Sequence, residues 1–182
     1  MVFNNFYPKT IFRLFIILSG FHLSAFSQEI GFPFIHNYTP LEYNNSTQFL
    51  AIVQDTTGIM YFGTNSGVLE YDGKKWITLP IINKTVVYSL AIDSNGVVFV
   101  GAKDDFGFLQ VNIKGEQEFK SIKYLIQDQK LKFGGVFQIK FSSAKVYFWT
   151  SLAIFEYSPL PKPLIKTYPA KRGNRILGII AH

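Results

Sequence analysis

An all-β fold, an incomplete β-propeller of about three four-stranded antiparallel blades plus the first strand of a fourth, follows from three observations in the sequence. First, the stretch 49–76 is written out again downstream: aligning Asp55 with Asp93, Gly58 with Gly96 and Gly63 with Gly101 gives one constant offset of 38 residues. Second, a fainter third copy fits 48 residues further on, where Val98, Phe99 and Ala102 meet Val146, Tyr147 and Thr150. In that copy Phe141, Ala144 and Trp149 stand where the others have Asp, Gly and Gly. Third, each copy breaks into short apolar runs punctuated by turn letters. A unit of about 40 residues then holds about four strands, and such a unit buries its faces only against neighbouring units.

The chain begins with residues 1–27, where Lys9 and Arg13 precede a mostly apolar run from Leu14 to Phe26, with Ala25 and Ser27 as small residues at its end. This is the pattern of a secretory signal peptide. The run is short for a membrane-spanning helix, which needs about 20 residues. The expected mature chain starts at Gln28. Losing Lys9 and Arg13, with no acidic residue beside them, takes the formal charge from +6 to +4. Residues 28–48 are rich in Pro, Asn and Tyr without a period, and read as an irregular lead-in placed to pack on the first blade.

The partial propeller is expected over 49–182, with blades at about 49–80, 86–122 and 136–165. In blade one, Asp55, Thr56, Thr57 and Gly58 suit a type I turn, Asp favoured first and Gly fourth. Ile59 to Phe62 is apolar on both alternating faces and too short for a helix, so it reads as a strand covered from both sides. Gly63 and Gly67 are read with the turns, Val68 to Tyr71 as the next strand, and Asp72-Gly73 as a hairpin signal before an outer strand at Trp76 to Leu79. Blade two repeats this with Asp93, Gly96 and Gly101. It carries what reads as a two-residue insertion at Lys103 to Phe106, widening the loop before Gly107. Residues 124–132 form a polar connector with room for one helical turn. Blade three is expected to end where Pro159, Pro161, Pro163 and Pro169 cannot donate ladder hydrogen bonds. Residues 175–181 then read as the opening strand of another copy. Three blades and one strand fall short of the roughly four to eight of a closed ring, so this segment is expected to rely on further blades of a longer parent.

Composition narrows the chemistry. The chain of 182 residues is 48% hydrophobic and 17% aromatic, which suits strands packed face to face and excludes disorder. It has no Cys, which excludes disulfides, thiolate metal sites and thiol catalysis. After the signal only His36 and His182 remain, far apart in sequence, whereas a zinc site needs three or four convergent ligands. No nucleophile elbow or phosphate-cradling glycine loop is present. The lysines and arginines are spread in short pairs, with no helix-turn-helix, finger or basic helix, so nucleic acid is not an expected partner of this segment. No cofactor and no catalytic residue are expected.

The run from Gly31, Pro33, Asn37-Tyr38, Pro40 and Glu42-Tyr43 through Ile52 to Asp55, Gly58, Tyr61 to Gly63, Gly67 to Gly73 and Trp76 resembles the start of the two-component regulator propeller family. That resemblance is dense in the first two copies, thin in the third, and covers most of residues 31–157. It implies an exported bacterial sensor region, on the periplasmic side of the inner membrane, followed in the parent by further blades, a triple-tyrosine domain, a membrane span and a kinase or helix-turn-helix output. The implied partners are a small-molecule or oligosaccharide ligand, the remaining blades and the output domains, with a homodimer of the parent as a further arrangement and membrane contact only through the missing C-terminal region. A free-standing exported propeller for adhesion or carbohydrate binding is the alternative; a propeller lyase or hydrolase is a third reading, since fold does not settle function.

The recurring residues Asp55, Gly58, Gly63, Gly67, Asp72, Gly73, Asp93, Gly96 and Gly101 are assigned to turns, so ligand specificity is sought in positions that differ between copies. Asp104, Asp105 and Phe106 are the most distinctive of these: the carboxylates accept hydrogen bonds from ligand hydroxyls and Phe106 offers a stacking face. An ordered loop with a core-directed Phe106 explains the same letters.

Overall fold

The computed structural model describes residues 35–44, 48–81, 84–128 and 130–170. The chain divides into two units, Met1–Asn37 and Tyr38–His182. Of the first only residues 35–37 are described, and they have no regular structure. The expected signal peptide at 1–27 and the strand expected at 175–181 lie outside the described residues.

Within the second unit the fold is all-β. A four-residue helix, α1 (Pro40–Tyr43), precedes three antiparallel sheets of four strands each. Blade one holds β1 (Ala51–Gln54), β2 (Met60–Thr64), β3 (Gly67–Tyr71) and β4 (Trp76–Pro80). Blade two holds β5 (Val87–Ile92), β6 (Val98–Ala102), β7 (Asp105–Val111) and β8 (Gln117–Ser121). Blade three holds β9 (Val136–Ser142), β10 (Lys145–Thr150), β11 (Ala153–Ser158) and β12 (Leu164–Pro169). Every sheet pairs its strands in chain order, so each blade is a meander of local hairpins, the arrangement of propeller blades. Among the described residues the stack does not close into a ring.

Blades stack through their inner strands: β5 lies against β1 and β2, and β9 against β5 and β6. Tyr61, Val68 and Leu79 of blade one meet Val87, Leu90 and Val100 of blade two. Phe99 and Phe106 of blade two meet Val136, Phe148 and Phe155 of blade three. Each such side chain contributes about 1.5–3 kcal/mol by leaving water. The other face of blade one, with Phe62 and Leu69, is covered by Tyr43 of the lead-in. Tyr38 packs edge-on against Tyr71 and Trp76.

One turn recurs in three places. Gly58 N–H donates to Asp55 O at 3.1 Å, Gly96 to Asp93 at 3.1 Å and Gly115 to Asn112 at 3.0 Å. In each, the first residue's side-chain oxygen also accepts backbone N–H groups: Thr57 and Ile59 on Asp55, Asn95 and Val97 on Asp93, Lys114 and Glu116 on Asn112. The three glycines have φ of +92, +82 and +80, the left-handed region that costs Gly nothing. Burial works against the charge of Asp55, but hydrogen bonds from the Thr57 hydroxyl and the Ile59, Thr57 and Gly58 amides outweigh it and hold the pKa below its usual value. Asp72 similarly accepts from Lys74 and Lys75 N–H, both at 2.7 Å, with Gly73 at φ +90.

The structure corrects several sequence expectations. Gly63 and Gly101 make no turn: they lie inside β2 and β6, where the next blade's inner strand crosses. A Cβ on Gly63 would sit 2.9 Å from Val87 Cγ1, and one on Gly101 2.7 Å from Val136 Cγ1. At the same register position blade three has Trp149, whose indole Nε1 is buried without a hydrogen-bond partner. Phe141 does not replace the turn Asp. It pairs with Val146 as Ile92 pairs with Val98, because the third loop shrinks to Ser143 and Ala144, both left-handed at φ 48 and 61. Blade three also runs past residue 165, since β12 pairs with β11 as far as Pro169. Pro159, Pro161 and Pro163 fall before that strand, and Pro169 ends it on an outer edge where a missing N–H costs least.

Candidate ligand-binding cleft

The expected insertion at Lys103 to Phe106 is not there. Ala102 pairs with Asp105 as Thr64 pairs with Gly67, leaving two turn residues in both blades. The extra length lies at the other end, where β7 has seven residues and β3 five.

What distinguishes the blade-two turn is how it is held. In blades one and three a buried threonine clamps the turn. Thr64 Oγ1 donates to Gly67 O at 2.9 Å and accepts from Ser66 N–H at 3.1 Å. Thr150 Oγ1 donates to Ala153 O at 2.9 Å and accepts from Leu152 and Ala153 N–H. Blade two has Ala102 there and uses the following connector instead. Asp104, left-handed at φ 56, donates its N–H to Gly134 O at 2.7 Å. Its Oδ1 accepts Phe133 and Gly134 N–H, both at 2.8 Å. Lys103 bridges to Gly135.

The three residues proposed from the sequence therefore separate. Phe106 is 0% exposed and stacks on Phe148 with ring centroids 4.5 Å apart, so it offers no face to a ligand. The register of β7 turns it toward blade three. Asp105 is buried, and its Oδ1 accepts the Phe106 N–H at 2.8 Å and the Ser121 hydroxyl at 2.6 Å. Burial raises its pKa, against those two hydrogen bonds and the charge of Lys123. Asp104 serves as the staple just described.

Around this staple lies an open cleft of about 950 Å3. It is lined by Thr85, Lys103, Asp104, Asp105, Glu118, Phe119, Lys120, Ser121, Lys123, Tyr124 and Lys132. Its size lies at the upper end of the roughly 300–1,000 Å3 of ligand sites. The 3-10 turn Lys123–Leu125 follows β8 and presents Tyr124, 60% exposed, at this cleft. Lys123 Nζ donates to Asp104 O at 2.8 Å and lies 5.3 Å from the Phe133 ring centroid. Sequence reading missed the lysines and Tyr124. The run Lys120, Lys123, Tyr124, Lys130, Lys132 across the end of β8 and the longest connector was the available signal. Among the described residues no group of three or more His, Asp or Glu could hold a metal ion, and no helix is long and apolar enough to cross a membrane.

Fold and cleft together define a blade-repeat protein with an open loop-end site on blade two and the connector that follows it. No family model and no curated protein matches the chain. Among solved structures, it is similar to the extracellular domain of a protein from B. thetaiotaomicron described as a one-component system. The TM-score is 0.49 and the identity 16%, over 69% of this chain and 16% of that one. This chain thus spans a small part of that neighbour's length.

Proposed function

We propose that this chain is the ligand-sensing propeller segment of an exported bacterial signalling protein, without catalysis of its own, and that ligand binds in the cleft formed by blade two and the connector that leads to blade three. The observation that carries the proposal is the cleft's construction. One wall is the connector 122–135, which presents Lys123, Tyr124 and Lys132 to the cleft. The same connector inserts Ile122, Ile126 and Phe133 into the core shared by blades two and three. A ligand gripping that connector acts on the seam between two blades, and such differential contact is what biases a sensor between output states. Tyr124 gives an exposed ring for a sugar face, and Thr85 and Ser121 line the same cleft, which supports a glycan fragment as the ligand. The residues used by the recurring turns stay out of this site, so one blade scaffold carries a specific pocket in its variable positions.

The test is ligand-dependent reporter output from the full-length protein carrying Tyr124→Ala, with expression checked. A dose response displaced to higher ligand concentration is the expected result. An unchanged response removes the cleft from sensing, and ligand binding with no output in any variant supports the adhesion reading instead.

A further inference from the structure

We infer that the cleft takes an acidic ligand, an oligosaccharide bearing carboxylate or sulfate groups, held by Lys103, Lys120, Lys123 and Lys132 around the Tyr124 ring. This rests on the sensing cleft proposed above and adds the class of its ligand.

Comparison with blade one sets two of these lysines apart. By strand register, Lys103 and Lys120 occupy the places that Asn65 and Ile77 hold in blade one, and Lys166 is the blade-three counterpart of Lys120. The scaffold therefore does not need a cation at either position. Lys132 comes from the connector, which has no counterpart of equal length between blades one and two. Four ammonium groups from three separate segments thus line one concave surface.

Three carboxylates, Asp104, Asp105 and Glu118, share this lining with the four lysines, and each has an oxygen engaged by uncharged donors. Asp104 Oδ1 is taken by two backbone N–H groups, and Asp105 Oδ1 by the Ser121 hydroxyl and the Phe106 N–H. Glu118 Oε1 accepts from Gln110 Nε2 at 2.8 Å. Among the described residues, Lys103, Lys120 and Lys132 are exposed and form no ion pair. Lys123 differs, because the Asp104 carbonyl and the Phe133 ring hold it half-buried, in place before ligand arrives. A fixed ammonium loses less freedom on binding than a loose one. The excess of cations over carboxylates on this concave wall also raises the local concentration of anions, an effect that salt screens over about 10 Å at 0.1 M. A neutral glycan would satisfy Tyr124 and the hydroxyls but leave the exposed Lys103, Lys120 and Lys132 facing it without an ion pair. An inorganic anion would satisfy the lysines and leave the Tyr124 face unused.

The experiment is calorimetric titration of the purified full-length protein with tetragalacturonate, a sulfated carrageenan tetrasaccharide and neutral galactotetraose, in 0.05 M and 0.5 M salt. The variants are Lys120→Ala with Lys132→Ala, the same pair changed to Arg, and Tyr124→Ala. The expected result is binding of one or both acidic sugars at least tenfold tighter than the neutral one, weakened by salt. The double alanine variant should lose roughly tenfold or more, at a few-fold per exposed pair, and the double arginine variant should keep its affinity. Equal or tighter binding of the neutral sugar, no binding in any arm, or acidic binding indifferent to the alanine pair overturns the inference. Tight acidic binding with no reporter output overturns the sensing reading alone, and output driven by a neutral sugar overturns the acidic ligand alone.

Discussion

Gly101 and Val136 approach so closely that a Cβ on the glycine would lie 2.7 Å from Val136 Cγ1 and 2.9 Å from Val136 Cβ. The Ser89 hydroxyl uses the same space to donate to Val136 O at 2.7 Å. Gly101→Ala is therefore expected to push blades two and three apart and cost roughly 1–3 kcal/mol, the range of an overpacked core. The urea midpoint of the full-length protein measures this. Gly96→Ala, with nothing within 4 Å of its Cβ, should show only the backbone strain of φ +82.

Asp104 stitches the turn to the connector, so Asp104→Ala should lose an acceptor for two backbone N–H groups, at about 1–3 kcal/mol for the donors left without a partner. Asp104→Asn keeps an oxygen there and tolerates the left-handed backbone, and should cost less than half as much. Faster hydrogen exchange at the Gly134 amide in the alanine variant, and not in the asparagine one, is the expected signature.

Thr64 is buried with the hydrogen bonds of its hydroxyl directed into the turn. Thr64→Val keeps the shape and removes the hydroxyl, which should destabilise blade one by roughly 1–3 kcal/mol. Thr64→Ser restores the hydroxyl and most of the loss. Thermal unfolding of the three proteins side by side decides it.

Glu70 is 8% exposed, and its Oε2 is buried with no hydrogen-bond partner. Burial first, then the charges of Asp72 and Asp55, raise its pKa above the usual 4.5. The fold thus favours the protonated acid. That contribution is fully present below pH 4.5 and is lost as pH rises through the raised value. Glu70→Gln should match the native protein near pH 4 and become progressively more stable than it toward pH 7. Thermal midpoints for the pair across that range test the sign; a difference that shrinks with rising pH would contradict it.

The sequence by itself determined what depends on a few neighbouring residues. Asp55 to Gly58 and Asp93 to Gly96 fold as turns because the Asp carboxylate accepts nearby backbone N–H groups while a left-handed glycine three residues on donates to the Asp carbonyl, and apolar runs between such turns can only pair as short strands. The repeat of that pattern gave the blades. The tertiary structure decided everything that depends on which neighbour a face meets. Alternation along β7 puts Phe106 and Asp105 on opposite faces but does not say which face blade three covers; stacking buried the ring against Phe148. Gly63 and Gly101 look like turn residues until Val87 and Val136 arrive across them from the next blade. The cleft was least legible, because Thr85, Lys103, Lys120 and Lys132 are scattered along the chain. They become one charged surface only when the hydrophobic seam between blades two and three fixes the connector that carries Lys132 and Tyr124.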